Sequence, residues 1–180
     1  VPQSTETIPD DVVMTDRQIV DWIVVSDRKH DRGGSTHFGV TLRLFSAYMG
    51  REMTVDQLKA LTKAQAIDIL FDEFCFKPKL HAIHDARVKL CAVDYAIHSG
   101  PAHAIKSLQW ALQFSVADTD GEFGAQTQAA LNAADPADIH RRMLAYRLRF
   151  LARLVSKDPT QADHIGWWNR IANLMELSAL

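Results

Sequence analysis

The sequence predicts an all-α fold, or nearly so, with at most a short β-hairpin. Three observations carry this. Apolar residues recur at helical spacing in almost every segment. Cap and stop signals separate those segments at intervals suited to helices of one to six turns. No run alternates polar and apolar long enough for a strand, except near residues 36–54.

Residues Val1–Thr15 are polar, contain Pro2 and Pro9, and read as an extended arm. The first helix is predicted over Asp16–Val25, with Thr15 as cap and Gln18 three residues on. A polar loop follows from Ser26 to His37 and contains Gly33-Gly34. Thr41–Met49 reads as helix and stops at Gly50. Thr54…Gln57 and Thr62…Gln65 are capping boxes that open two more helices. The second of these places Ile67, Leu70, Phe71 and Phe74 on one face, with Pro78 beyond its end.

Asp85–His98 is the next helix, with Val88, Cys91, Ala92 and Tyr95 on one side. Gly100-Pro101 stops it and starts another over Ala102–Phe114. Residues 118–124 form a turn-rich loop before a short helix, Gln126–Asn132. Asp135-Pro136 caps a long helix, whose buried stripe is predicted as Ile139, Met143, Tyr146, Phe150 and Leu154. A last helix is expected over His164–Leu177.

The length of 180 residues suits one domain, or one domain with a small appended subdomain. The formal charge of −2 gives no whole-molecule attraction to nucleic acid, and no apolar run approaches a membrane span. No secretory signal pattern is visible in a chain that opens at Val1. Cys75 and Cys91 lie in apolar stretches and form no metal-like pattern, and their pairing stays open. No metal or cofactor is expected. His81-x-x-His84 lacks a third ligand at the usual spacing, and a calcium loop starting at Asp118 would place Ala129 where a glutamate is required.

Six segments together resemble glycoside hydrolase family 108, the bacterial and phage N-acetylmuramidases with a peptidoglycan-binding-like C-terminal region. Asp31-Arg32-Gly33-Gly34-Ser35-Thr36-His37-Phe38-Gly39-Val40-Thr41 is similar to the family's D-x-G-G-x-T-x-x-G-I-T. Ile69–Leu80 resembles I-Y-x-x-x-Y-W followed by a proline, and Val93–Pro101 resembles F-D-x-A-V-N-S-G-P. Leu108-Gln109-x-Ala111-Leu112 is similar to L-Q-x-A-L, and Asp120-Gly121…Gly124…Thr127 to D-G-x-x-G-x-x-T. Gly166-Trp167-Trp168-Asn169-Arg170-Ile171 looks like the closing G-W-x-x-R-V.

The resemblance implies a lysozyme-like helical domain over 16–115, with a peptidoglycan-binding-like subdomain over 116–180 packed on it. It implies the peptidoglycan glycan strand as partner, at the periplasm or cell envelope. A phage or secretion-apparatus protein is a second partner class. The family's catalytic glutamate lies at the end of the first helix, in E-G-G-Y. This chain has no glutamate between Glu6 and Glu52. An ungapped alignment puts Trp22 in that position, and a one-residue gap puts Asp21 there.

Asp21 and Asp31 are therefore the candidate carboxylates. Glycoside hydrolysis needs one carboxylic acid that keeps its proton in a partly apolar pocket. Thr36, Phe74 and His98 are candidate substrate contacts, with His98 standing where the family has asparagine. Gly33, Gly34 and Asp94 are expected to organise the loop, Asp94 by bonding amides near the two glycines. Glu73 is a weaker candidate acid, on a polar face. The arginines 141, 142, 147, 149 and 153 read as a solvated basic face. Trp167 reads as core, and Trp168 and Trp110 are open between core and sugar stacking.

Overall fold

The computed structural model describes residues 15–26, 36–161 and 165–176. Among these the fold is mainly α, with one two-stranded sheet. The helices are α1 (Asp16–Ser26), α2 (Leu42–Met49), α3 (Val55–Lys59), α4 (Lys63–Phe71), α5 (Ala86–Ser99), α6 (Pro101–Ala111), α7 (Ala125–Ala133), α8 (Pro136–Lys157) and α9 (Ile165–Glu176). No helix among the described residues is long and apolar enough to cross a membrane.

The predicted caps form as read. Thr15, Thr54 and Thr62 each accept the amide three residues on, and Gln18, Gln57 and Gln65 each reach back to the cap amide. Each box satisfies two amides that the helix cannot pair internally. Asp85 and Asp135 cap α5 and α8 through their carboxylates.

The hairpin is far smaller than the 36–54 window. Strands β1 (Thr36–His37) and β2 (Val40–Thr41) pair antiparallel, and Thr41 already caps α2. The two-residue turn holds Phe38 and Gly39 at φ 48° and 78°. Two consecutive positive angles are what a hairpin turn matching the strand twist requires, and glycine takes the second at no steric cost.

A second difference is the end of α4. The helix does not stop at Phe71 but widens into one π-helical turn, Asp72–Phe76, where the Lys77 amide bonds the Asp72 carbonyl at 2.9 Å.

The core is one contiguous cluster running from Ile19 to Leu174. Helix α5 is its centre and packs against α1, α6 and α8. Its burial is wider than the predicted stripe, because Leu90, Val93, Asp94 and Ala96 are also inside. On α8 the buried residues are Ile139, His140, Met143, Leu144, Arg147 and Leu151. Tyr146, Phe150 and Leu154 only flank them. Arg147 thus leaves the solvated face expected for it. Cys75 and Cys91 are buried free thiols, and burial pushes both up to about 12.

Candidate functional site

Helix α1 lies antiparallel to α4, because Arg17 pairs with Asp68 at 2.8 Å and Asp21 pairs with Lys63. The spacing of four residues on α1 puts both pairs on one side of that helix. Asp21 is 42% exposed, yet its Oδ1 is shielded and compensated by the Lys63 ammonium. Its neighbour Trp22 is half-buried against the core. Asp21 is thus committed to an ion pair across the α1–α4 seam.

The far side of α1 meets a buried ion cluster. Asp94 on α5 has no exposure and accepts from Arg147 of α8 and from Arg170 of α9. Burial alone would push its carboxyl up, but Arg170 and then Arg147 overcome that and hold it well below the usual carboxylate range. Arg170 also donates from Nη2 to the Ile23 carbonyl at 3.3 Å. One guanidinium therefore joins the last helix, the central helix and the end of α1. Its planar fork makes this bridging possible.

His98, one turn after Asp94, is 21% exposed and sits with Nδ1 2.7 Å from the Asp94 carbonyl. A carbonyl only accepts, so Nδ1 carries the proton there. Thr36 opens β1 opposite Thr41 and is half-buried. Phe74 is half-buried against the core within the π-turn. Glu73, in the same turn, pairs with Lys77. Asp31, Gly33 and Gly34 lie outside the described residues, so any bond from Asp94 to that loop does as well.

The structure thus ties Asp94, through Arg170, to α1 two residues past Asp21, with His98 one turn further along α5, while Asp21 itself turns to α4. Sequence reasoning missed Lys63, and it missed Arg147 and Arg170 as partners of Asp94. The available signal was Asp94 itself, since an aspartate inside an apolar helix demands a cation.

The C-terminal region is organised around another buried polar group. Gln109 is 1% exposed. Its amide donates to Asp120 Oδ1 at 2.7 Å, the Glu122 carbonyl at 3.1 Å and Thr127 Oγ1 at 3.2 Å, and its carbonyl accepts the Gly121 amide at 2.9 Å. Gly121 has φ 85°, and a Cβ there would stand 3.1 Å from the Ala102 carbonyl oxygen. The glutamine motif and the Asp-Gly…Gly…Thr loop are two halves of one hydrogen-bonded unit.

A depression of about 270 Å³ lies between the ends of α6, α7 and α8, lined by alanines 111, 130, 133 and 134. Its two carboxylates are already engaged, Asp135 as the cap of α8 and Asp138 in ion pairs with Arg141 and Arg142.

Comparison with known proteins agrees with this architecture. Residues 24–100 match the family model described as glycosyl hydrolase 108, and residues 103–172 match the one described as a predicted peptidoglycan domain. The structure of Brucella abortus SagA matches with a TM-score of 0.76 at 30% identity, covering 91% of this chain and 93% of that one. The chain belongs to the glycosyl hydrolase 108 family. No curated protein matches it. As a member of glycosyl hydrolase 108 it is a muramidase-like, peptidoglycan-acting protein of mainly α, lysozyme-like fold. Its partner is the glycan strand, and its place of action is the cell envelope.

Proposed function

We propose that this family member recognises the glycan strand of peptidoglycan without hydrolysing it. The observation that carries the reading is the pairing of Asp21 with Lys63, in a chain with no glutamate between Glu6 and Glu52. Protonating a leaving sugar oxygen takes an acid placed to within about 1 Å, and that much displacement alone costs on the order of a hundredfold in rate. An aspartate one methylene shorter, turned to a lysine on α4, meets neither requirement of position or setting. The half-buried Trp22, the ordered hairpin and the arginine-braced end of α1 still support a glycan-binding role.

The test is incubation with purified cell-wall sacculi, scored for retained protein and for released reducing ends. The expected result is retention without product for the native chain, Asp21→Asn and Asp31→Asn alike. Product that disappears in Asp21→Asn or Asp31→Asn would restore hydrolysis and identify its acid. Failure of the native chain to be retained would move the function to a structural part of a phage or secretion apparatus.

A further inference from the structure

The π-turn after α4 has a geometric effect that an ordinary helix lacks. In an α-helix, residues five apart point roughly 140° away from each other. The wider turn, with its bond from residue i+5 back to i, returns Phe76 to the side of Phe71. Their ring centroids are 6.1 Å apart. Pro78 and Lys79 then reverse the chain, with Lys79 at φ 63°, and lay His81 on Phe76 at 4.9 Å and an interplanar angle of 24°. Among the described residues the His81 Nδ1 has no hydrogen-bond partner, and the ring is held against Phe76 by the stack. The result is an aromatic cluster, or plate, whose central ring, Phe76, is stacked under His81 and 54% exposed.

The rim of the plate is polar and balanced. The Arg17 guanidinium lies 4.7 Å from the Phe71 centroid and pairs with Asp68. Tyr48 donates to Asp72 at 2.8 Å, and Lys77 pairs with Glu73. Asp68, Asp72 and Glu73 are matched in number by Arg17, Lys77 and the exposed Lys79, so the rim presents hydrogen-bonding groups without a net charge. That disfavours an anionic lipid, a nucleic acid or a strongly charged peptide. It suits a neutral ligand with one apolar ring face and hydroxyls around its edge. Arg17 is one helical turn, roughly 6 Å, before Asp21 on the same side of α1, so the plate continues the α1–α4 seam.

We propose that Phe71, Phe76 and His81 form a stacking subsite for an N-acetylhexosamine ring of the glycan strand, outside the segment that carries the family's acid. This rests on the glycan-recognition reading above. Sugar C–H groups meet the exposed part of the Phe76 ring, which His81 covers on one face, and Asp68, Asp72 and Tyr48 accept or donate at the hydroxyl edge.

The experiment measures binding of the full chain to sacculi and to a soluble N-acetylglucosamine tetramer. Phe76→Ala is expected to weaken both roughly three- to tenfold with an unchanged melting temperature, because the side chain is mostly in water. Phe76→Trp should retain or strengthen binding. Trp110→Ala serves as control: that ring is 41% exposed but lies under the Arg149 guanidinium and against Tyr146, and its loss should change nothing. Unchanged binding in Phe76→Ala, with the native chain still retained, overturns the subsite alone. No retention of the native chain overturns both readings. A concentration-dependent dimer that Phe76→Ala abolishes would assign the plate to self-association instead.

Discussion

Replacing Asp94 by asparagine tests the cluster that holds the two matched regions together. The side chain is fully buried, and its partners Arg147 and Arg170 are 5% and 7% exposed. Asparagine keeps the volume and one acceptor, but turns an amide N–H₂ toward a guanidinium and leaves positive charge buried without compensation. Breaking a buried pair in this way costs about 3–5 kcal/mol. For a chain of this size each kcal/mol shifts the midpoint by about 2–4 °C, so the melting temperature should fall by roughly 6–20 °C. The measurement is thermal unfolding by circular dichroism at pH 7. The pH dependence supplies a second arm. Asp94 is held below its unfolded value, so its stabilisation is complete above about pH 4, the unfolded value. It is lost as pH falls through the folded value. The gap between native and Asp94→Asn should stay constant from about pH 5 to 8 and close in stronger acid. A drop of less than about 2 °C at pH 7, or a gap that does not close in acid, refutes the reasoning.

Two further outcomes follow from other buried groups. His140 is buried, with no hydrogen bond to Nδ1 among the described residues, and burial, then the nearby Arg87, lowers its affinity for a proton. The unfolded chain therefore binds that proton more readily, and stability should fall as pH drops below about 6.5; His140→Leu should flatten this slope in urea titrations. Gln109→Leu keeps the volume but strands the Gly121 amide and removes a donor to the Thr127 hydroxyl. It should cost about 1–3 kcal/mol and speed amide exchange across residues 118–124, and protection equal to the native chain would count against the hub.

Much of the helical framework was legible because its signals are local. The capping threonines and Asp135-Pro136 act within a few residues of themselves, and the structure uses each as read. The π-turn had no such signal. Phe71-Asp72-Glu73-Phe74-Cys75-Phe76 continues a helical pattern, and the extra residue is accommodated where Cys75 is fully buried in the core. The stripe on α8 was drawn through aromatic residues, whereas packing chose Arg147 because Asp94 needed a cation. That partner lies 53 residues along the chain, and Arg170 lies 76 away. No local rule reports on pairings at such separations. At the candidate site, the motifs indicated the family, but the lysine that occupies Asp21 was visible only once α4 lay beside α1.

The tie from Arg170 to the Ile23 carbonyl also sets an order of events during synthesis. Helix α1 precedes the donor that steadies its far end by 147 residues of chain, so it is made well before that donor. Contacts of this span form late and slow the search for the native state. The bond from Arg170 to the end of α1 cannot form until α9 emerges and docks. Chaperone dependence, and not only thermal tolerance, should therefore be sensitive to substitutions in α9.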